Sequence, residues 1–397
     1  MISSSAAIKL SRVCPVCNNN KAFLLGDIKY AIYDNYPVRN DVKLVSCNKC
    51  GMVFYETPST EYDYNEYYKK HNYYYTTKSQ GMGGETSKDQ NRFLSYIKLI
   101  EKYDIPDSKI SVDIGCAKGG LLRTLKEKGY TNLCGVDSLD ANINRLQETA
   151  VADVRTGTAT DVPLPDVSCG MAFLTHTIEH VFNLKKAMSE LFRILDADGI
   201  AYIEIPDAAS YPTYRDAPLY DFFHEHINYF DKPALKNLVN INGFECLEVG
   251  NKSFDGHDQA EEECLYCIVK KNGSMHKIRP SFLLSEKWHG NLFKTPGPIK
   301  QFLENYDSAR PVYIWGLSSY MLYLLASYLL PRCNIAGLHD SDEYKQTRTI
   351  RNYKINSPEI MFQLDKSAII VIPTGPYSSK LKSLLFEGNF KGDVYLL

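Results

Sequence analysis

Ser111-Val112-Asp113-Ile114-Gly115-Cys116-Ala117-Lys118-Gly119-Gly120 is the stretch on which the reading of this 397-residue chain turns. The apolar run Ile110 to Ile114, closed by glycine, reads as a buried strand, the glycines as a tight turn, and Leu121 to Lys128 as the helix that follows. The next strand, Leu133 to Val136, ends in Asp137, 24 residues after Asp113. A helix over Gln90 to Tyr103 precedes this unit, and helical and strand patterns alternate after it to about residue 270, with strands at Gly170 to Leu174 and at the run ending in Pro206. That alternation predicts a parallel sheet covered by helices. After a polar stretch from Asn272 to about Ser308 a second series begins: strands Val312 to Trp315, Ile335 to His339, Ala368 to Ile372 and Val394 to Leu397, with helices Tyr320 to Leu330 and Ser378 to Phe386. The pattern predicts a second, smaller α/β unit with a Rossmann-like layout.

Composition agrees with a multidomain globular protein, since 44% of residues are hydrophobic and 23% charged, enough to bury two or three cores. Basic and acidic side chains nearly balance at 45 against 47, so no overall field favours nucleic acid or an anionic membrane, and any anionic ligand must be held locally. The longest apolar stretch, Met321 to Leu330, is far short of the roughly 20 residues of a membrane span, and the first residues lack a signal-peptide core. The expectation is a cytoplasmic protein with no membrane and no nucleic-acid partner.

Four of the 11 cysteines form two close pairs, Cys14-Pro15-Val16-Cys17 and Cys47-Asn48-Lys49-Cys50, each in a turn-prone polar context. Such pairs present four thiolates tetrahedrally to Zn²⁺, and a small module with little apolar content needs such a staple; Gly51 allows the turn after the last ligand. Because four thiolates fill the coordination sphere, the metal is structural; the competing readings are a redox pair or coincidence. Cys264-Leu265-Tyr266-Cys267 has the same spacing, but its alternating context reads as a strand with buried thiols. The Tyr-rich polar stretch Tyr62 to Tyr75 reads as a linker or lid.

The glycine turn followed by an acid at the end of the next strand suits a ribose diol, as in a dinucleotide fingerprint or a general nucleoside site. Two details favour S-adenosylmethionine (SAM). Asp113, inside the first motif, would face a cationic ligand and crowd a pyrophosphate, and Cys116 and Ala117 between Gly115 and Gly119 break a strict GxGxxG. The stretch resembles the first motif of class I SAM-dependent methyltransferases, D-x-G-C-x-x-G. Gly157-Thr158-Ala159-Thr160-Asp161 and then His176-Thr177-Ile178-Glu179-His180-Val181 are similar to that family's adenine-side loop and its H-x-x-E-H-V element. The resemblance implies cofactor binding by Asp113, Gly115, Cys116, Gly119, Asp137, Asp161 and His176. His176 and His180 at i, i+4 also have metal-ligand spacing, yet no third ligand is evident in the sequence.

Tyr220-Asp221-Phe222-Phe223-His224-Glu225-His226-Ile227-Asn228-Tyr229-Phe230 wedges three titratable residues among aromatics, where poor solvation shifts their pKa values and one imidazole can act as a base. The plain alternative is a histidine-rich loop making structural hydrogen bonds. Beside Glu225, burial and the carboxylate are expected to pull the His226 pKa in opposite directions and leave it near neutrality.

Taken whole, the chain resembles the zinc-containing deoxysugar C-methyltransferases that act on nucleotide-linked ketosugars. The C-terminal part contributes Asp340-Ser341-Asp342-Glu343-Tyr344-Lys345-Gln346-Thr347-Arg348, similar to that family's D-x-x-x-x-K-Q-G-R. The resemblance implies catalysis by His226, Glu225, His180 and Tyr75, the last in Tyr73-Tyr74-Tyr75-Thr76-Thr77. It also implies a zinc module and linker over residues 1–75, a SAM domain over 76–275, and a C-terminal substrate-binding domain over 276–397. Two departures stand out. Phe254-Asp255-Gly256-His257 with its acidic continuation replaces H-G-G-S/E, and Ile314-Trp315-Gly316-Leu317-Ser318-Ser319-Tyr320 lacks the lysine of G-Y-G-A-x-x-K. The expected function is C-methylation of a nucleotide-linked sugar through an enolate. O-methylation of a polysaccharide sugar, a non-catalytic zinc and nucleotide-binding protein, and an NAD-dependent enzyme are the rivals.

Overall fold

The computed structural model describes residues 7–70, 87–103, 109–149, 151–211, 217, 219–255, 261–290, 292–375 and 377–397. It opens with β1 (Ile8–Lys9), β2 (Lys21–Lys29), β3 (Asp41–Cys47) and β4 (Val53–Glu56), an antiparallel sheet, followed by α1 (Glu61–Lys70). The part of the expected linker that is described is therefore a helix. Its tyrosines at i, i+3 and i+4 explain why: Tyr64 and Tyr67 are buried and Tyr68 half-buried along one face, with acids in the first turn and lysines in the last.

The central unit runs α2 (Ser87–Ile100), β5 (Ile110–Ile114), α3 (Gly120–Glu127), β6 (Leu133–Asp137), α4 (Asp140–Thr149), β7 (Asp153–Thr156), β8 (Cys169–Thr175), α5 (Leu184–Ile194), β9 (Leu195–Pro206), β10 (Asn228–Tyr229), α6 (Lys232–Ile241), β11 (Phe244–Asp255) and β12 (Glu261–Lys271). Seven of these strands form one sheet in the order β11-β12-β9-β8-β5-β6-β7, parallel except for β12, which runs antiparallel to both of its neighbours. Cys264 and Cys267 lie buried in β12, as the alternation of that segment predicts. From β5 the order moves to β6 and β7 on one side and to β8 and β9 on the other, which creates a crevice at the strand ends between β5 and β8.

Residues 272–282 carry neither helix nor strand. Then follow α7 (Leu283–Trp288), α8 (Gly297–Asn305), β13 (Val312–Trp315), α9 (Ser319–Leu324), β14 (Ile335–His339), α10 (Glu343–Gln346), β15 (Thr349–Ile350), β16 (Tyr353–Asn356), β17 (Ile369–Ile372), α11 (Ser378–Glu387) and β18 (Asp393–Leu396). The third sheet has the order β15-β16-β14-β13-β17-β18 and is parallel apart from the β15–β16 pair. The single helix expected over Tyr320 to Leu330 is α9 continued by a π-helical turn, Leu325–Leu329.

The cysteine-bearing sheet is not a free-standing module poor in apolar residues. β10 pairs with β4 as its fifth strand. Tyr30, Val53, Tyr55 and Tyr67 share a buried cluster with Phe222, Tyr229 and Trp288 and with Ile314, Leu317 and Tyr320 of the third sheet's unit. Cys14, Cys47, Met52 and Phe54 pack with Val112, Ile178, Leu184 and Phe230. The buried Arg12 clasps this junction, donating from Nη1 to the carbonyls of Tyr55 and Ile227 and from Nη2 to Phe182 O and Asn228 Oδ1 at 2.7–3.1 Å. No helix among the described residues is long and apolar enough to cross a membrane.

Candidate functional site

The turn ahead of β2 and the turn between β3 and β4 bring the two cysteine pairs together. Cys14 Sγ lies 3.6 Å from Cys50 Sγ and Cys17 Sγ 3.5 Å from Cys47 Sγ, and all four sulfurs fall within 4.8 Å of one another with no disulfide among them. A tetrahedron with about 2.3 Å Zn–S bonds has edges of about 3.7 Å. The backbone N–H of Lys49 and the Asn19 side-chain amide donate to Cys47 Sγ at 3.4 and 3.6 Å, as donors around a metal thiolate do. The residues fit a closed Cys₄ metal.

At the carboxyl end of β5 the chain turns through Gly115 (φ +85°), Ala117 (φ +44°) and Gly119 (φ +72°). A side chain at Gly115 would place its Cβ 2.7 Å from Thr177 Oγ1, so only glycine leaves the mouth between β5 and β8 open. Asp137, at the end of β6, fastens the turn: its carboxylate accepts from the backbone N–H groups of Ala117 (2.8 Å) and Leu139 (2.9 Å) and from Asn142 Nδ2 (3.3 Å). Burial raises its pKa even so. Asp113 is buried, its Oδ1 has no hydrogen-bond partner, and burial followed by the nearby Asp137 pushes its pKa up to about 7. Two acids so placed, one of them unsatisfied, suit a cationic ligand. Cys116 is buried beneath the turn, whereas Asp161 is exposed on the loop that pairs its backbone with Thr158.

The His-Glu-His segment meets the end of β8 in a second cluster. The His180 and His226 rings are 4.7 Å apart, edge to face, and Phe223 covers His226 at 4.8 Å. Tyr68 Oη lies 2.9 Å from His180 Nδ1, and the Glu225 carbonyl lies 3.2 Å from the same nitrogen. Only a protonated Nδ1 can use that carbonyl. His226 is pushed well below its usual pKa by burial, and further by His180, His176 and His224, so its ring is neutral. Glu225 is not the carboxylate beside it: Glu225 Oε2 accepts from Tyr67 Oη at 2.9 Å, on the side of His224. The nearer acid is Glu179, buried, its Oε1 3.3 Å from His176 Nδ1, and it offers a ligand atom within 4.8 Å of ring nitrogens of both His180 and His226. His176 and His180 do not form the pair their i, i+4 spacing suggests: His180 groups with Glu179 and His226, and His176 with Glu204 and Cys264. Tyr75 lies outside the described residues; among the described residues Tyr67 and Tyr68 bring phenols to this site, and their i, i+3 and i+4 spacing with Tyr64 was the available signal.

His176 sits deeper, in a left-handed backbone conformation (φ +49°), with Nδ1 3.3 Å from Glu179 Oε1 and Nε2 3.5 Å from both Glu204 Oε1 and Cys264 Sγ. Burial and Arg92 lower its pKa, but Cys264 and Glu179 outweigh them and raise it. Glu204, on β9, accepts from Arg92 (2.9 Å), Tyr96 (2.5 Å) and Tyr202 (2.6 Å). Burial would raise its pKa, yet Arg92 and then His176 hold it well below the usual carboxylate range. This network pins α2 onto the sheet, and composition alone did not reveal it because its members are spread from residue 92 to residue 264.

Residues 87–249 match the family described as a methyltransferase domain. A Mycolicibacterium smegmatis protein named as a probable S-adenosylmethionine-dependent methyltransferase is 31% identical over 93 residues, 23% of this chain and 35% of that protein. YrhH of Bacillus subtilis, which carries a methyltransferase name, is 24% identical over 115 residues, 27% of this chain and 63% of its own. The chain therefore spans about a third of the first relative and less than two thirds of the second. A solved SAM-dependent methyltransferase structure from Methanosarcina mazei aligns with 44% of this chain and 97% of its own at 18% identity and a TM-score of 0.39. Residues 87–249 of this chain match a methyltransferase domain, and the sheet they contribute to is of the α/β class.

Proposed function

We propose that this chain methylates a small sugar, a nucleotide-linked deoxy-ketosugar, at carbon through an enolate. The observation that carries the reading is the pair of close imidazoles, His180 and His226, three and more residues beyond Thr177, whose hydroxyl faces the Gly115 turn. SAM supplies an electrophilic methyl group when bound. Asp113, Gly115, Cys116, Gly119 and Asp137 hold it, with Asp161 and His176 as outer contacts, and the unpartnered Asp113 carboxyl supports a cationic ligand there. His226, neutral and shielded by Phe223, takes the proton from the carbon next to the ketone; His180, held by Tyr68, steadies the oxyanion that results. Glu225 positions Tyr67 and, in this reading, Tyr75 assists. Cys14, Cys17, Cys47 and Cys50 hold a structural zinc. The chain is organised as residues 1–75, 76–275 and 276–397, with the last segment binding substrate.

Incubating the protein with SAM and a panel of nucleotide sugars tests this reading by mass. A gain of one methyl on ketosugars, with solvent deuterium exchange beside the carbonyl, supports it. Methylation of sugars that lack a ketone would instead identify an O-methyltransferase, which needs the same base and no enolate.

A further inference from the structure

Glu179 and His180 sit in the turn after β8, and His226 in the loop before β10. Hydrogen bonds stitch these two segments together. The amides of Ile227 and Asn228 donate to Glu179 O at 2.9 and 3.1 Å, and Asn228 Nδ2 donates to Ile178 O at 2.9 Å and to Val181 O at 2.8 Å. Arg12 holds the same stretch from the cysteine-bearing sheet, through Ile227 O and Asn228 Oδ1. On this frame one carboxylate oxygen of Glu179 and one ring nitrogen each of His180 and His226 lie within 4.8 Å of one another.

Two atoms of this trio lack the partners that burial demands. Glu179 is 1% exposed, and its Oε2 accepts no hydrogen bond while its Oε1 lies 3.3 Å from His176 Nδ1. His226 Nδ1 is buried and equally without a partner. A cation satisfies both at once, where neither group can satisfy the other's neighbours. His180 adds a further feature of a metal-bound imidazole: its Nδ1 lies 3.2 Å from the Glu225 carbonyl and 2.9 Å from Tyr68 Oη, outer partners that orient the ring. Both imidazoles are half-buried, so an ion has a way in. The neighbouring trio of His176, Glu204 and Cys264 differs, because Glu204 already accepts from Arg92, Tyr96 and Tyr202 and its charge is met by the chain itself.

We propose that Glu179, His180 and His226 form a binding site for one divalent ion of the zinc class, a two-histidine, one-carboxylate set with at least one coordination position left for water. Two imidazoles and a carboxylate match Zn²⁺, Fe²⁺ or Co²⁺, whereas Mg²⁺ prefers oxygen ligands alone. With three donors and one negative charge against four thiolates, this site is the weaker of the two: it fills from solution and empties on dialysis, while the Cys₄ metal stays. The site does not depend on the proposed reaction, but its consequence rests on the assignment of His226 as the base. An ion on that ring takes the lone pair that would receive the proton, so the loaded chain binds SAM and transfers no methyl group.

Calorimetry and visible absorption of the full chain, with zinc in the Cys₄ site and Co²⁺ alone as titrant, test the proposal. One further Co²⁺ per chain is expected, with the d–d bands of nitrogen and oxygen ligands and no sulfur charge-transfer band, and Mg²⁺ at the same concentrations should not compete. Glu179→Gln and His226→Ala should each weaken that Co²⁺ by at least about tenfold, the loss that even an outer partner of a metal ligand causes. Cys264→Ser should leave it unchanged. If Glu179→Gln fails to fold, His226→Ala decides alone: wild-type Co²⁺ affinity in that variant overturns the proposal. So does a chain that takes up no Co²⁺ beyond its zinc, or a bound ion that Cys264→Ser releases. Co²⁺ that occupies the trio yet leaves methyl transfer at its metal-free rate overturns the base assignment and leaves this site standing.

Discussion

Tyr68 Oη stands 2.9 Å from His180 Nδ1, so a phenol from the helix after the cysteine-bearing sheet holds the imidazole at the end of a central strand. Tyr68→Phe keeps the ring packing and removes this contact together with the hydrogen bond to the Glu225 carbonyl at 3.3 Å. A neutral hydrogen bond contributes about 1 kcal/mol, so methyl transfer should fall roughly fivefold with SAM affinity unchanged by calorimetry. An unaltered rate would remove Tyr68 from the site.

His226→Ala should lose about 10²–10⁴ of the methyl-transfer rate while SAM still binds. Because burial, and then His180, place the His226 pKa well below 6.5, the base is neutral throughout the cellular range, and the acid limb of the rate profile should lie below pH 6.5. Stability follows the same sign: below pH 6.5 the unfolded chain takes up a proton that the folded ring resists, so the protein weakens as pH falls from there, and His226→Ala should weaken less. Rate profiles and melting curves between pH 5 and 7 check both points.

Asp113 provides a pH signature for the donor site. Burial and then Asp137 raise its pKa to about 7 in the absence of ligand, so below that pH the carboxyl is neutral and above it the charge is buried without a partner. A cationic ligand favours the ionised form. SAM affinity should therefore climb as pH rises through about 7, and Asp113→Asn should bind more weakly with little dependence on pH. Equal slopes in the two proteins would place the cation elsewhere.

The cysteine cluster should carry one zinc per chain by elemental mass spectrometry. Cys47→Ser should hold clearly less and melt at least about 4 °C lower, the shift that 1 kcal/mol produces in a small domain. A second equivalent of metal that survives Cys47→Ser but not Glu179→Gln would put an ion on Glu179, His180 and His226 and displace the base assignment.

Strands β5, β6, β8, β13, β14 and β17 were legible because each is a short apolar run cut off by glycine or a polar turn, and Ile110–Ile114 appears where the pattern puts it, whereas β7, β15 and β16 are too short or too polar to stand out. Helix α1 was hidden because its polar composition outweighs three tyrosines on one face. The partners of the histidines were hidden for another reason. Glu225 is next to His226 in the chain yet its carboxylate faces Tyr67, and the acid that approaches the ring, Glu179, comes from 47 positions earlier. Adjacency along a loop says nothing about which way a side chain turns. The cysteine spacing, by contrast, needed only local geometry, and the four sulfurs do meet.

The five-stranded sheet has a history written into its order. Strand β10 is only Asn228 and Tyr229, paired with Phe54 and Val53, so the edge of β4 waits for residues made roughly 170 positions later. While the chain emerges from the ribosome, that edge, with Val53, Phe54 and Tyr55 beside it, has open hydrogen-bonding groups and an apolar flank, the combination that invites pairing with another chain. The two residues that close it lie directly after His226 and Ile227. Completion of the first-made sheet and placement of the imidazole are thus one late event in biogenesis, and a nascent chain stalled before residue 228 holds its thiols without the element that seals them in.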